Sequence, residues 1–303
     1  MLRYLFYYLV APGFIFSLIL GALTSWIDRK LTARLQYRQG PPWYQPFADI
    51  LKLLGKETIV PEGSARLVFL SAPLLGLAAA TLASTLICLF NLYPAESFGG
   101  DLIVVVYLLT VPSLAMILGG AASRNPLASL GISREMKLIL AYELPFLISL
   151  AVVIAKSGSL LFSGILVPQM NHGMFISSFS GSLAFLVSLL VVQAKLGLAP
   201  FDIAEAEQEI MAGPLLEYSG TPLAIFKMTK LILFFCLPVL LITLFLGGGG
   251  IGWFMLKYVI IVTLLVLIKN TNPRLRIDQA LRFFWGPATA LAVLAFVLAV
   301  LGW

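Results

Sequence analysis

Long apolar runs separated by short polar segments dominate the pattern of this 303-residue chain. A helix rises 1.5 Å per residue, so about 20 mostly apolar residues cross the roughly 30 Å hydrocarbon core of a membrane. Eight runs meet this length: about 4–26, 67–90, 102–122, 137–156, 178–198, 224–246, 250–269 and 283–301. The pattern therefore predicts an all-α integral membrane protein with about eight transmembrane helices.

Composition supports one membrane domain. Hydrophobic residues make up 60% of the chain and charged residues 11%, whereas about a quarter of the residues in a soluble domain are charged. We therefore expect a single transmembrane bundle over residues 1–303 rather than two soluble domains. Its predicted loops on one side are 28–66, 123–137, 199–223 and 270–282.

The basic residues predict the orientation. Only Arg3, Lys156 and Lys257 fall on the side opposite those loops, and the other lysines and arginines lie in or beside the loops. Cytoplasmic loops of membrane proteins carry the excess of lysine and arginine. We expect the loops to be cytoplasmic and both termini to lie on the outer side. The net charge of +6 thus reflects topology and does not indicate nucleic-acid binding.

Metal-ligating residues are scarce. The two cysteines, Cys88 and Cys236, lie in apolar runs, and the single histidine, His172, lies in a predicted outer loop. Their spacing fits no zinc, haem or iron–sulfur site. We predict no metal site, no cofactor and no catalytic residue in this chain, so that any redox chemistry belongs to another subunit.

Residues 199–220, called the acidic segment below, interrupt the apolar and basic pattern. No lysine or arginine occurs in it, and its acids are Asp202, Glu205, Glu207, Glu209 and Glu217. Crowded carboxylates beside hydrocarbon have raised pKa values, because like charges repel and hydration is lost. A short helix from about 203 to 212, capped by Asp202, would place Glu205 and Glu209 on one face. Two interpretations stay open: a surface helix with solvated acids, or a partly buried carboxylate cluster that exchanges protons.

Glu143 is the only acidic residue predicted to lie well inside a span. An ionisable group at this depth is costly and usually faces the bundle interior or water. Pro145 follows closely and frees a backbone carbonyl where water could bind. Glu143 is therefore a candidate ion-path residue. The alternative is a structural pair between Glu143 and a lysine or arginine.

Two basic segments flank the acidic one. In the loop 28–66, Lys30, Arg34 and Arg38 recur every four residues and would form a stripe on a helix, and Lys52 and Lys56 are also one turn apart. This amphipathic loop could dock a cytoplasmic protein or rest on anionic lipid. A second segment, 270–285, carries further arginines and one aspartate.

Four stretches together resemble the subunit-1/H family of respiratory complex I and of energy-converting membrane-bound [NiFe] hydrogenases. They are ARLQYRQGPPWYQPFADILKLLGKE (33–57), YELPF (142–146), PFDIAEAEQEIMAGPLLEYSG (200–220) and PRLRIDQ (273–279). The resemblance implies that the ion-path carboxylates are Glu143, Asp202, Glu205, Glu207, Glu209 and Glu217. It implies that a peripheral redox arm docks on Arg29, Lys30, Arg34, Arg38, Lys52, Lys56, Arg274, Arg276 and Asp278.

Departures from complex I indicate the branch. Complex I members of the family typically have Glu-Arg where this chain has Asp28-Arg29, and Asn-Arg where it has Gly197-Leu198. GISREMKLILAYE (131–143) and AEAEQE are more similar to the hydrogenase and formate hydrogenlyase branch. This branch implies a prokaryotic plasma membrane, antiporter-like membrane subunits, and hydrogenase-like large and small subunits that carry a NiFe centre and iron–sulfur clusters.

Three alternatives remain open at this point. One is a complex I membrane subunit that lines a quinone site, and a sulfane-sulfur-reducing relative would have nearly the same sequence features. The third is a stand-alone cation-coupled secondary transporter. The choice between protons and sodium ions as the translocated species is also open.

Overall fold

The computed structural model describes residues 2–247 and 249–302, except for the side chains of Leu2, His172, Glu207 and Gln208. Every regular element in these residues is helical, which confirms the all-α prediction. The α-helices are α1 (Leu2–Leu9), α2 (Phe14–Leu35), α3 (Gln45–Leu54), α4 (Arg66–Leu92), α5 (Asp101–Leu108), α6 (Val111–Ala122), α7 (Pro126–Ser157), α8 (Phe162–His172), α9 (Phe179–Lys195), α10 (Glu207–Ile210), α11 (Gly220–Leu241), α12 (Ile251–Thr271), α13 (Ile277–Phe283) and α14 (Thr289–Val300).

Seven helical stretches of the described chain are long and apolar enough to cross a membrane. They are Arg3–Leu35, Arg66–Leu92, Asp101–Ala122, Pro126–Ser157, Gly220–Leu246, Ile251–Thr271 and Ile277–Val300. The remaining predicted span is α9, whose 17 residues give a length of about 26 Å, slightly less than the hydrocarbon thickness. The chain is a multi-pass membrane protein, and each predicted span corresponds to helix, interrupted at 10–13 in the first span and at 109–110 in the third.

Several segments predicted as loops contain helices. The long helix α7 begins at Pro126 rather than near residue 137, because the Asn125 side chain caps it by accepting from the Leu127 N–H and Pro126 suits the first turn. The helix α3 occupies the middle of the loop 28–66. Residues Phe162–His172 form α8 where an outer loop was predicted, and the side chain of His172 lies outside the described residues.

The helix α11 lies at the centre of the bundle, and most of its residues are buried. A helix that is apolar on all sides is stable only when neighbours surround it. Accordingly, α11 packs against α2, α3, α4 and α9. The helices α7, α9 and α14 pack together as a second group. This group contacts the first in two places: α9 packs against α11, and α7 packs against α6, which in turn packs against α4.

The four predicted loops meet at one end of the bundle, called the loop end below. Backbone N–H groups join them across long separations: Ile59 donates to Ser219 Oγ (3.0 Å), and Leu275 donates to the carbonyl of Pro200 (3.0 Å). At the opposite end, Arg3 contacts Glu96 at 3.3 Å. The fold thus gathers the acidic segment and both basic segments on one face.

Candidate functional site

The acidic segment is mostly irregular, and the helix predicted from about 203 to 212 is present but limited to one turn. Within 203–212 only Glu207–Ile210 are helical, and Asp202 does not cap them. Met211 (φ 53°) and Ala212 (φ 86°) adopt the left-handed conformation, which ends the helix after one turn. Glu205 and Glu209 therefore do not share a helix face. Side chains from the surrounding helices determine where each acid points.

Each of four predicted ion-path acids contacts a base on another element. The pairs are Asp202–Arg274 (2.7 Å), Glu209–Arg134 (2.6 Å), Glu143–Lys195 (2.7 Å) and Glu205–Lys230. An opposite charge at this distance counters the repulsion between neighbouring carboxylates. These four acids are therefore compensated, by bases that come from distant parts of the sequence.

The four acids differ in exposure. The Glu209 side chain is 61% exposed, whereas those of Glu143, Asp202 and Glu205 are 20%, 21% and 23% exposed. Exposed ion pairs are weak because water and salt screen them. The sheltered acids are the stronger candidates for coupled charge movement.

Glu143 and Lys195 form the most enclosed ion pair of the described residues. The Lys195 side chain is only 4% exposed, and its Nζ lies 5.1 Å from the centre of the Tyr142 ring and 5.2 Å from that of Phe146. The carboxylate and both ring faces stabilise the buried ammonium. The base that the structural-pair alternative required is thus present. A pair of titratable groups can also exchange a proton, so this contact is compatible with either role.

A small chamber adjoins this pair. Its volume is about 60 Å³, and Glu135, Lys195, Glu205 and Lys230 contribute to its charged lining. This volume can hold a few water molecules. Of the two lysines in the lining, Lys195 contacts Glu143 of α7, and Lys230 contacts Glu205 of the acidic segment. Both ion pairs, Glu143–Lys195 and Glu205–Lys230, therefore lie at the chamber.

Glu135 is a candidate that sequence reasoning missed. It lies on α7 two turns before Glu143 and is 8% exposed, so Glu143 is not the only acid buried in a span. Ser113 lines the chamber together with Glu135. The Asn125-Pro126 start signal would have extended the predicted helix to include Glu135.

Glu217 does not line the chamber; its carboxylate contacts the start of α7. It accepts a hydrogen bond from Asn125 Nδ2, the residue that caps α7. The neighbouring Tyr218 ring stacks on Phe69 with centroids 4.1 Å apart, and its hydroxyl donates to the Phe69 carbonyl at 2.9 Å. Burial raises the pKa of Tyr218 above its ordinary value. The side chain of Glu207 lies outside the described residues.

The predicted docking residues lie on three parts of the loop end. Lys30 and Arg34 are on α2, but this helix ends at Leu35, so Arg38 does not continue the predicted stripe. A cleft of about 250 Å³ brings together charged residues of α7, of the acidic segment, and of the segment that leads into α13 and its first turn. They are Arg134, Asp202, Glu209, Arg274, Arg276 and Asp278.

Arg29 faces the start of α3. Its Nη1 donates to Asp49 at 2.9 Å, and Gln45 Nε2 donates to the same carboxylate at 2.9 Å. Partial burial raises the pKa of Asp49, but the hydrogen bonds from Arg29 and Gln45 outweigh it, so the pKa lies below its ordinary value. This pair fastens α3 to the end of α2.

A larger cavity of about 560 Å³ lies between α2, α3, α11 and residues 196–198. Lys52, Lys56 and Lys227 contribute to its lining, so we call it the lysine-lined cavity. It shares Leu196, Gly197 and Lys230 with the chamber. Beside it, the carboxylate of Asp28, an acid that sequence reasoning also passed over, contacts Lys269 at 2.7 Å.

Across the part of the chain that the structure describes, no group of three or more His, Cys, Asp and Glu side chains is placed to hold a metal ion. Cys88 and Cys236 are both buried among apolar helices. The charged residues of the loop end therefore form the candidate site.

A family model for NADH dehydrogenase matches residues 9–300. The chain is 36% identical to the H subunit of the NADH-quinone oxidoreductase of Thermomicrobium roseum, over 93% of this chain and 92% of that protein. It is 32% identical to the corresponding H subunit of Anoxybacillus flavithermus, over 88% and 85% of the two chains. Among solved structures, it is similar to a chain of the membrane-bound sulfane sulfur reductase, an archaeal respiratory membrane complex, with a TM-score of 0.88, 27% identity, and coverage of 99% and 100%.

Proposed function

The chain belongs to the NADH dehydrogenase family that includes these H subunits, and we propose that it anchors a peripheral redox arm and couples that arm to ion movement. The complex is an energy-converting, hydrogenase-like oxidoreductase, and the ion is a proton or a sodium ion. The NiFe centre and the iron–sulfur clusters belong to the large and small subunits of the arm. Antiporter-like subunits adjoin this chain in a prokaryotic plasma membrane, with the loop end cytoplasmic and both termini outside.

One observation carries this proposal: charged side chains extend from the surface of the loop end into the bundle. The series begins at Asp202 and Arg274 in the surface cleft and continues with Glu205 and Lys230. It then passes Glu135 in the chamber and ends at Lys195 and Glu143. Ionisable groups inside a membrane span are costly, and they usually mark ion paths or proton relays.

The alternation of acids and bases supplies a physical route for coupling. Lys195 contacts Glu143 and Lys230 contacts Glu205, and Glu135 lines the same chamber as both lysines, so each lysine has a second carboxylate nearby. Each lysine can therefore change its carboxylate partner when a neighbouring charge changes. In a sheltered site these interactions are stronger than in water. A redox change in the arm alters the pair Asp202–Arg274, and successive changes of partner carry the perturbation to Glu143.

The arm is proposed to rest on the bases of the loop end. Its contacts include Arg29, Lys30, Arg34 and Arg38 of the first loop and the arginines of the surface cleft. The cleft lies directly beside Asp202. A protein that covers this cleft would shelter the first ion pair of the series from water and so strengthen its coupling.

Ion transport by the complex in sealed vesicles tests the path. We expect Glu143→Gln to lower ion translocation by about tenfold or more in an assembled complex, because the relay loses its innermost acid. Glu96→Gln is a matched control, since Glu96 pairs with Arg3 at the opposite end. Normal translocation by Glu143→Gln would remove Glu143 from the path.

Retention of the arm on washed membranes tests docking. We expect the double variant Arg34→Glu and Arg38→Glu to release the arm, because it reverses two charges of the proposed contact. Lys137→Glu, an exposed charge reversal on α7, is the control and should retain the arm. Retention by the double variant would contradict this docking surface.

A second candidate function has a specific observation behind it. The lysine-lined cavity is large enough for a small-molecule ligand, and the similar H subunits belong to proteins named NADH-quinone oxidoreductase. This chain would then line a quinone site. Labelling of the chain by a photoreactive quinone, blocked by excess unlabelled quinone, would favour this function over the hydrogenase-like one.

A further inference from the structure

The lysine-lined cavity has a charged part and an apolar part. Five bases and two acids line it, and the acids Asp28 and Asp49 already contact Lys269 and Arg29. Much of the remaining lining is apolar: Pro46, Ile50, Leu53, Leu196, Leu198, Leu231 and Phe234. A ligand that fits this lining has a negative group at one end and a hydrocarbon chain at the other.

Of the five bases in the lining, Arg29 contacts Asp49 and Lys230 contacts Glu205, and the other three are lysines. Lys52 and Lys56 belong to α3 and the turn after it, and Lys227 belongs to α11, so both elements contribute lysines to the lining of one cavity. All three residues are exposed to solvent. Lysine ammonium groups bind phosphate as mobile point charges with several donors. Their convergence favours a phosphate group over a neutral headgroup.

The surroundings of α3 are those of a membrane interface. Leu51 and Leu54 are exposed on this helix, and Trp43 and Tyr44 are exposed just before it. Amphipathic helices of this kind lie in the interfacial plane, and tryptophan and tyrosine are enriched at the headgroup level. Because α3 contributes to the lining of the cavity, a lipid held at this helix can reach it.

We propose that the lysine-lined cavity binds one anionic phospholipid. Its phosphate contacts Lys52, Lys56 and Lys227, and an acyl chain lies along Ile50 of α3 and Leu231 of α11. The volume of about 560 Å³ lies within the usual range for ligand pockets. The inference does not depend on the ion path, and it gives Lys52 and Lys56 a role other than docking the arm.

Residues 196–198 form one wall of the cavity, and their apolar character favours an acyl chain over a polar headgroup at that wall. Gly197 has no side chain, and a Cβ added there would meet no atom within 4 Å. Leu196 and Leu198 flank it, so this wall presents hydrocarbon and backbone to the cavity. An acyl chain fits such a surface, because burial of each methylene is favourable.

Lipid binding to the purified, delipidated complex tests the proposal by native mass spectrometry. The probes are phosphatidylglycerol, phosphatidylcholine with the same acyl chains, glycerol phosphate, and a short-chain ubiquinone. We expect one retained phosphatidylglycerol per chain, and neither phosphatidylcholine nor glycerol phosphate should displace it. Displacement by glycerol phosphate would show a phosphate site without a lipid site, and displacement by the quinone would assign the cavity to quinone; either result overturns the proposal.

Matched variants separate the cavity from general surface charge. Replacing Lys52, Lys56 and Lys227 by Gln should weaken phosphatidylglycerol binding by about a hundredfold, at roughly fivefold for each lysine. Replacing Arg66, Arg124 and Lys137 by Gln removes three exposed bases of the loop end that do not line the cavity, and binding should be unchanged. An equal loss in both triple variants would overturn the proposal.

A third variant tests the apolar part without changing charge. Leu53→Trp places a larger side chain in the lining and should weaken binding by about tenfold, because the acyl chain loses space. Unchanged binding by this variant would overturn the placement of the chain. The lysine triple variant should also retain the soluble arm on washed membranes. Release of the arm with normal lipid binding would assign these lysines to docking and contradict the proposal.

Discussion

Both ends of the bundle bury charged side chains, but they stabilise them differently. At the loop end, Glu143 contacts Lys195 and Glu205 contacts Lys230, so each charge faces another titratable group. At the opposite end, the buried carboxylate of Asp101 accepts from the Phe162 N–H at 3.1 and 3.3 Å and from the Ser97 hydroxyl. Lys257 there donates to the carbonyls of Leu246 (2.7 Å) and Gly247 (3.3 Å), which follow α11.

The two ends differ in whether the partner of the buried charge can change its own protonation state. A backbone N–H or carbonyl is fixed in place and does not change its protonation state, so its contact with Asp101 or Lys257 orders the fold. A carboxylate that faces a lysine can gain a proton or lose its partner when the local charge changes. Burial alone therefore does not identify a coupling residue. The chemical type of its partner separates a structural anchor from a candidate relay.

The largest expected effect separates the two roles at one buried pair. Glu143→Gln alone leaves Lys195 buried without its carboxylate, which should lower the free energy of unfolding by about 3 kcal/mol. The double variant Glu143→Gln with Lys195→Gln removes both charges and should recover most of that stability while ion translocation remains lost. Thermal unfolding of the purified complex and transport in vesicles measure the two quantities. Recovery of transport in the double variant would make the pair structural only.

The matching change at the opposite end should affect stability but not transport. Asp101→Ala leaves the Phe162 N–H buried without an acceptor and should lower the free energy of unfolding by about 2 kcal/mol. Asp101→Asn keeps an acceptor oxygen and should cost less. Transport per assembled complex should stay normal in both variants. A transport defect as large as that of Glu143→Gln would break the distinction between the two ends.

Glu217 sharpens the comparison because it lies at the loop end but faces a neutral partner. Asn125→Ala removes the cap of α7 and should lower the free energy of unfolding by about 1 kcal/mol, and Glu217→Gln should cost less. Thermal unfolding checks this order. Loss of transport in Glu217→Gln, comparable with that in Glu143→Gln, would show that Glu217 belongs to the path.

The smallest effect concerns the half-exposed pair of Arg29 and Asp49. The pKa of Asp49 is lowered in the folded protein, so its contribution to stability is present above the unfolded value near 3.9 and disappears as the pH falls through the folded value. Wild type should therefore exceed Asp49→Asn by less than about 1 kcal/mol at pH 7, and the difference should vanish in more acidic solution. Thermal unfolding from pH 7 to pH 3 checks the trend, and a difference that grows on acidification would contradict it.

Hydropathy predicted the spans well because membrane insertion selects apolar runs, and the one-turn spacing of Lys52 and Lys56 indicated a helical period inside the segment predicted as a loop. The ion pairs could not be read from the sequence: Glu143 and Lys195 are separated by 52 residues, and Asp202 and Arg274 by 72. The helix expected at 203–212 is limited to one turn: its expected cap Asp202 contacts Arg274, and Met211 and Ala212 adopt the left-handed conformation that ends the turn. Glu135 was overlooked because the start of α7 was placed too late.

Lys230 forms part of the partition between the two compartments of the loop end, together with Leu196 and Gly197. Its ammonium group therefore responds to electrostatic potential from either side. A negative charge placed in the lysine-lined cavity would attract the Lys230 ammonium group and so compete with Glu205, which contacts the same group from the chamber. Communication between these compartments requires no displacement of a helix, and its strength depends on the dielectric environment at that partition.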